Sequence, residues 1–273
     1  ALHLPGIPPL PGPPPGPARG AELPTLLAEA AQSPPYLPAA QPVREGARPR
    51  RWSADAWAFW RQGSETGAPV SQGRVPIYGA SQMGAILHYR LGMLGGHAPR
   101  LHLRGYRALI AGGESEAAFG ASLRPLPRVP LRLFAEGRYT APASGKGELR
   151  PAAYAVTEIA PVALPLGTRL DAYGQAGWVG GSFNTWFADG QATLTRELGF
   201  TRRFSNDAVG LSLGAGAWGG AQKGAQRLDV GPTARLDFRL GRVPARVSVD
   251  WRQRVAGDAA PGSGVAATIA AGF

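Results

Sequence analysis

The chain contains no cysteine. That excludes a disulfide scaffold, a thiol catalyst and a thiolate metal site, and it suits a chain that must cross an oxidising periplasm without mispairing. Charge is also scarce: only 17% of the 273 residues are charged, below the roughly 25% usual for soluble domains. No stretch approaches the about 18 consecutive apolar residues that a membrane-crossing helix needs. The opening Ala1-Leu2-His3-Leu4-Pro5 lacks the basic start and apolar core of a secretion signal, and a mature secreted chain would look the same. Mean hydropathy is −0.12. A soluble protein has such a value, but so does a transmembrane barrel, in which only alternate residues face lipid.

What is abundant is glycine, at 39 residues, and proline, at 27. Their distribution divides the chain near residue 50, into a Pro-rich tail over 1–49 and a barrel over 50–273. The tail carries Pro8-Pro9, Pro13-Pro14-Pro15 and Pro34-Pro35, which favour extended polyproline II and cannot sit inside a sheet. One short helix is predicted over 22–32, where Leu26, Leu27 and Ala30 fall on one side. Three readings stay open: an extended periplasmic tail, a plug in the lumen, or a docking segment. In the last, Pro8, Pro13, Pro14, Pro15, Leu26 and Leu27 would grip a periplasmic or membrane partner.

From Arg51 onward polarity alternates with period two, the signature of half-buried strands. In 129–139, Leu131, Leu133, Ala135 and Tyr139 take one parity and Arg132, Phe134, Glu136 and Arg138 the other. The same split recurs in 228–240 and 245–255. About twelve such runs follow one another: 51–62, 80–92, 101–110, 114–126, 129–140, 150–164, 168–179, 185–198, 208–220, 227–240, 243–256 and 264–273. Each is near the length needed to cross a bilayer at a tilt. The prediction is an all-β fold, a transmembrane antiparallel up-and-down barrel of about twelve strands. An even strand count puts both termini on one side. Short joints at 125–128, 165–167 and 241–242, against longer ones at 62–79, 141–149, 180–184, 219–226 and 256–263, place that side in the periplasm, although the joints 97–100 and 199–206 are longer than this pattern predicts.

The two faces favour a barrel over a soluble sandwich. The apolar parity is rich in alanine (Ala54, Ala56 and Ala58; Ala117 and Ala121; Ala267 and Ala271), which lipid accepts without the tight packing of a sandwich core. Closure removes the exposed edges that an open sheet would leave. Trp52, Trp60, Tyr89, Tyr139, Trp178, Trp186, Trp251 and Phe273 sit near run ends, as interfacial girdles do. In the last run Val265, Ala267, Ile269, Ala271 and Phe273 share one face. A terminal aromatic on the apolar parity resembles the C-terminal signature read by the barrel assembly machinery. The expected location is the bacterial outer membrane, with lipid, lipopolysaccharide and that machinery as partners.

Several segments carry a wider resemblance: Gly79-Ala80-Ser81-Gln82-Met83-Gly84-Ala85 with Tyr89-Arg90-Leu91; Asp171-Ala172-Tyr173-Gly174-Gln175-Ala176-Gly177; Gly214-Ala215-Gly216-Ala217-Trp218-Gly219-Gly220 with Asp229-Val230-Gly231-Pro232; and Asp250-Trp251-Arg252-Gln253-Arg254-Val255-Ala256-Gly257. Over residues 50–273 the chain resembles the C-terminal barrel domain of outer-membrane proteins for exopolysaccharide export and phage adsorption. The helical repeats that precede the barrel in such proteins are replaced here by the Pro-rich tail.

The inward parity collects Arg61, Arg90, Arg104, Arg124, Arg132, Arg138, Arg235, Arg239, Arg246, Arg252 and Arg254. With them come Asp55, Glu116, Glu136, Glu158, Asp171, Asp229, Asp237 and Asp250. Charges so costly on a lipid face belong in the lumen, and arginine's fork of donors matches carboxylates. The surplus of arginine points to a channel for anionic solutes or saccharides. The alternatives are a non-conducting anchor filled by arginine–acid pairs and a lipid-modifying enzyme. For the enzyme the candidates are His88 and His102, with no Gly-x-Ser-x-Gly elbow nearby; the chain is not expected to be an enzyme. The four histidines lack metal spacing. Asp189-Gly190 and Gly257-Asp258, read as loop pairs, lack the further carboxylates of a calcium loop. No cofactor is expected. Nor is nucleic acid, because the arginines are spread over separate strands and interleaved with acids.

Overall fold

A computed structural model describes residues 50–64, 79–92, 96–110, 113–141, 146–181, 184–204 and 208–273. The tail readings at Pro8, Pro13, Pro14, Pro15, Leu26 and Leu27, and the helix over 22–32, lie outside the described residues.

The alternating runs all form strands: β1 (Trp52–Arg61), β2 (Gln82–Arg90), β3 (Arg100–Ala108), β4 (Ser115–Leu123), β5 (Leu131–Ala141), β6 (Glu148–Thr157), β7 (Val162–Leu164), β8 (Thr168–Val179), β9 (Thr185–Glu197), β10 (Gly210–Gln222), β11 (Ala225–Leu240), β12 (Val243–Gly257) and β13 (Gly264–Gly272). Each barrel strand pairs antiparallel with its neighbours in sequence. β1 pairs with β13, and β6 pairs with β8. The result is a closed barrel of twelve strands, with β7 as a three-residue spur. Closure brings Trp57 opposite Ala270, and Phe273 exchanges backbone hydrogen bonds with Ala54. Both ends of the barrel domain therefore lie at one rim, here called the terminal mouth; the opposite rim is the loop mouth.

The parity read from sequence is the parity observed. Leu133, Phe119, Leu103, Leu213 and Ile269 are exposed on the outside, while Arg132, Glu136, Arg235, Asp229 and Thr268 are buried within. The Trp52 and Tyr89 rings meet at a tilt of 51° with centroids 4.7 Å apart, and Phe273 is exposed at the same terminal rim. Trp60, Tyr139, Trp178, Trp186 and Trp251 are exposed toward the loop rim. An apolar outer belt with aromatic rims around a polar interior is the build of a transmembrane barrel.

Three expectations are corrected. The run 150–164 is not one strand. It breaks at 158–161, where Pro161 has no N–H to donate and Glu158 is drawn inward to arginines, so β6 and β7 share the same edge of β8. At the break the Gly174 N–H donates to Thr157 Oγ1 at 2.8 Å. The joint 219–226 is not a long loop: β10 and β11 run on to a two-residue hairpin, Lys223-Gly224, with Gly224 at φ +81°, a conformation that glycine adopts freely. Asp189-Gly190 lies within β9, not in a loop. After β9 the chain also forms an unpredicted helix, α1 (Gly199–Phe204).

Candidate functional site

The site is the lumen, and it is built in layers. At mid-height on one wall, Glu136 of β5 is a hub. His102 Nε2 lies 2.7 Å from its carboxylate, Arg104 donates at 3.0 Å, Arg138 at 2.6 Å and the Tyr154 hydroxyl at 3.0 Å. Arg104 also donates to Glu116 of β4. The Glu136 side chain has no exposure. Burying a carboxylate is expensive, and several charge-assisted donors on one group are what offset that cost. Phe134 stacks on Tyr154, with centroids 4.8 Å apart and planes 5° from parallel. The Arg138 guanidinium lies over the Tyr154 and Phe187 rings, 5.4 Å and 5.7 Å from their centroids.

On the facing wall, Asp171 of β8 accepts from Arg169 at 3.0 Å and from Arg235 of β11 at 2.6 Å. Arg235 also donates to Thr193 at 2.7 Å. Arg246 pairs with Asp237 at 2.6 Å, and Asp250 accepts from Arg252 at 3.0 Å and from Thr233 at 2.7 Å. The Arg252 guanidinium sits 5.0 Å from the centroid of Phe59 and 4.5 Å from that of Trp218, a cation–π arrangement. These large side chains fit because inward glycines stand beside them. A Cβ on Gly84 would lie 2.4 Å from the Trp57 ring, and one on Gly216 would lie 2.5 Å from the Trp218 ring. Against this wall lies a polar cavity of about 40 Å³, lined by Thr193, Trp218, Arg235, Arg246, Asp250 and Arg252 among others. It has room for a few waters.

The two mouths differ. At the loop mouth, Arg61 and Arg227 share Asp229 at 2.9 Å and 2.7 Å. The connection 258–263 folds over them: Arg61 donates to the Gly262 carbonyl, and Arg227 to the carbonyls of Ala259, Pro261 and Gly262. At the terminal mouth, Arg124 and Arg132 hold Glu158 at 2.5 Å and 2.8 Å, with Arg100 4.0 Å away. Glu158 lies beyond the end of β6, outside the spanning strands. Its burial pushes the carboxyl's pKa upward, but the hydrogen bonds and charges of Arg132 and Arg124 outweigh burial and hold it below its ordinary value.

Most of the arginines and acids that the sequence puts at inward parity lie on the inner face of the barrel, at different depths. Arg104, Arg132, Arg138, Arg235, Glu136, Asp171, Asp229 and Asp250 are buried there, and Arg90, Arg124, Arg246, Arg252, Arg254 and Asp237 are half-buried. Arg254 is at the loop mouth, donating to the Asp258 and Ala259 carbonyls. Arg239 keeps the inward parity but is exposed at the end of β11. His88 and His102 lie side by side in the lumen, ring centroids 6.2 Å apart, with His102 taken up by Glu136. Sequence reading missed Arg100, which falls in a joint if β3 is begun at Leu101, and also Arg150 and Arg227. All three share the parity of recognised lumen residues: Arg100 lies one position before the run 101–110, and Arg150 and Arg227 are the first residues of the runs 150–164 and 227–240. The inward aromatics Trp57, Phe59, Phe187 and Trp218 were also missed as lumen residues; nothing in residue type separates them from the outer girdle.

No family model and no curated protein matches the chain. Among solved structures, the chain is similar to an outer-membrane channel from Pseudomonas putida F1, at 13% identity over 85% of this chain and 98% of that one, with a TM-score of 0.41. It is similar to the β domain of the Bordetella autotransporter BrkA, at 12% identity over 81% and 98%, with a TM-score of 0.39. It is similar also to the KdgM porin, at 8% identity over 81% and 98%, with a TM-score of 0.38.

Proposed function

We propose that the chain is an outer-membrane barrel whose arginine-lined lumen is a narrow path for small anionic solutes, acidic sugars among them. The observation that carries this reading is the lumen's charge. Arginines outnumber carboxylates on the inward face, and a polar cavity persists beside Arg235, Arg246 and Arg252. A low-dielectric wall around surplus cationic charge concentrates anions and repels cations. Purified, refolded protein in planar bilayers should show small conductance steps with a reversal potential on the anion side, and Arg246→Gln should reduce that selectivity. An electrically silent barrel would overturn the reading.

A second reading has its own support. Arg61–Asp229 joins β1 to β11 and Arg235–Asp171 joins β11 to β8, so both pairs cut across the lumen between non-adjacent strands. Arg61, Arg132 and Arg150 are each only 1% exposed. Such filling suits a non-conducting anchor whose tail, residues 1–49, holds a periplasmic or membrane partner. Deleting 1–49 should then release the partner while the barrel still inserts, as judged by heat-modifiable gel migration.

A further inference from the structure

The terminal mouth brings together more arginine than its acids can neutralise. Arg90 and Arg100 are directly opposed on β2 and β3, both at lumen parity. Like charges facing each other across a strand pair repel and destabilise it. Arg100 is also opposite Ser122, at the end of β4 that leads into Arg124, and Arg132 completes the group from β5. Against these four guanidinium groups stands Glu158, and the Arg100 charge also bears on Asp55 of β1. Glu158 is already taken by Arg124 and Arg132. Arg132 spends Nε on Glu158 and Nη1 on the Ala98 carbonyl and Ser122, while its Nη2 is buried with no partner. A buried, unpaired donor on a charged group is costly, and so is a like-charged pair facing across adjacent strands.

We propose that this cluster is an oxyanion-binding site, in which Arg90, Arg100 and the unused donor of Arg132 hold one carboxylate or phosphate group of a solute entering the lumen. Planar forks of N–H donors suit both groups. The inward parity of these residues points the site at a solute, not at the surrounding lipid. The site follows from charge and donor inventory at one mouth, so it holds whether or not the lumen conducts.

The test is isothermal titration of the refolded full-length chain in a zwitterionic detergent at low salt, with inorganic phosphate in one arm and glucuronate in the other. Saturable binding of one anion per barrel is expected in at least one arm, and the arm that binds identifies the group recognised. Arg90→Gln with Arg100→Gln should weaken binding at least tenfold. Removing the same charge from the exposed Lys223 and Arg242 should leave it within twofold. Arg90→Gln alone, at a residue whose side chain makes no hydrogen bond among the described residues, keeps the test valid if the double variant misfolds, and it should weaken binding about threefold. No saturable binding in either arm, or equal loss in the surface variant, overturns the site. A silent barrel that still binds overturns only the channel reading.

Discussion

At the loop mouth, Arg61, Arg227 and Arg254 end on a carboxylate and on the backbone carbonyls of 258–263. At the terminal mouth, Arg90, Arg100, Arg124 and Arg132 crowd around Glu158. The residue type and the parity are the same, but the accounting differs. One mouth uses arginine as a structural clasp for a connection that folds inward. The other adds Arg90 and Arg100, whose side chains face each other across β2 and β3 without a hydrogen-bonded acceptor among the described residues. In a closed barrel, arginine content alone therefore does not separate filling from function; what separates them is whether each guanidinium has been given its acceptors.

The largest effect should come from breaking the clasp. Asp229 is 1% exposed and shared by two buried arginines. Asp229→Asn leaves Arg61 and Arg227 without their carboxylate, and removing one partner of a buried pair costs about 3–5 kcal/mol. Urea unfolding followed by heat-modifiable gel migration measures it. A loss of under about 1 kcal/mol would mean that the 258–263 carbonyls hold both guanidinium groups unaided.

The terminal mouth should respond to acid instead. Glu158 is 21% exposed at its side chain, and its pKa is held below the ordinary value by Arg132 and Arg124. A depressed carboxylate contributes stability that is fully present above the unfolded pKa, near 4.5, and is lost as pH falls through the folded value. Stability should therefore fall below about pH 4.5, and Glu158→Gln should flatten that slope while lowering stability at neutral pH by about 1–3 kcal/mol. A slope unchanged in the variant would assign the acid sensitivity to other carboxylates.

The order of the strands and the faces they present were legible in the sequence because lipid and lumen impose a strict period of two. Leu131–Ala141 and Ala225–Leu240 show their whole alternation in residue type. The partners were not legible. Parity places Arg61 and Asp229 on the inner face but cannot say that β1 and β11 come close enough across the lumen to join them, because that depends on register and on the side chains filling the space between. The hairpin at Lys223-Gly224 was hidden by Gly219, Gly220 and Gly224, which read as loop although the first two continue β10. Arg100 was lost to a strand boundary set one residue late, and with it the crowding at the terminal mouth.

The smallest effect should be the most discriminating. Arg100→Ala removes a half-buried cation that lies opposite Arg90 and reaches Glu158 only at 4.0 Å. A distant, partly exposed ion pair is worth little, about 0–1 kcal/mol, and the substitution also relieves a like-charge pair across adjacent strands. The two contributions oppose each other, so the stability of Arg100→Ala in urea should lie within about 1 kcal/mol of the parent, with a neutral or slightly stabilising outcome at low salt. Raising the salt concentration should shrink whatever gain is seen, because screening already weakens the Arg90–Arg100 repulsion in the parent. A loss comparable to that of Asp229→Asn would show that Arg100 is held as firmly as Arg61, and the contrast between a clasped mouth and a mouth of opposed arginines would collapse.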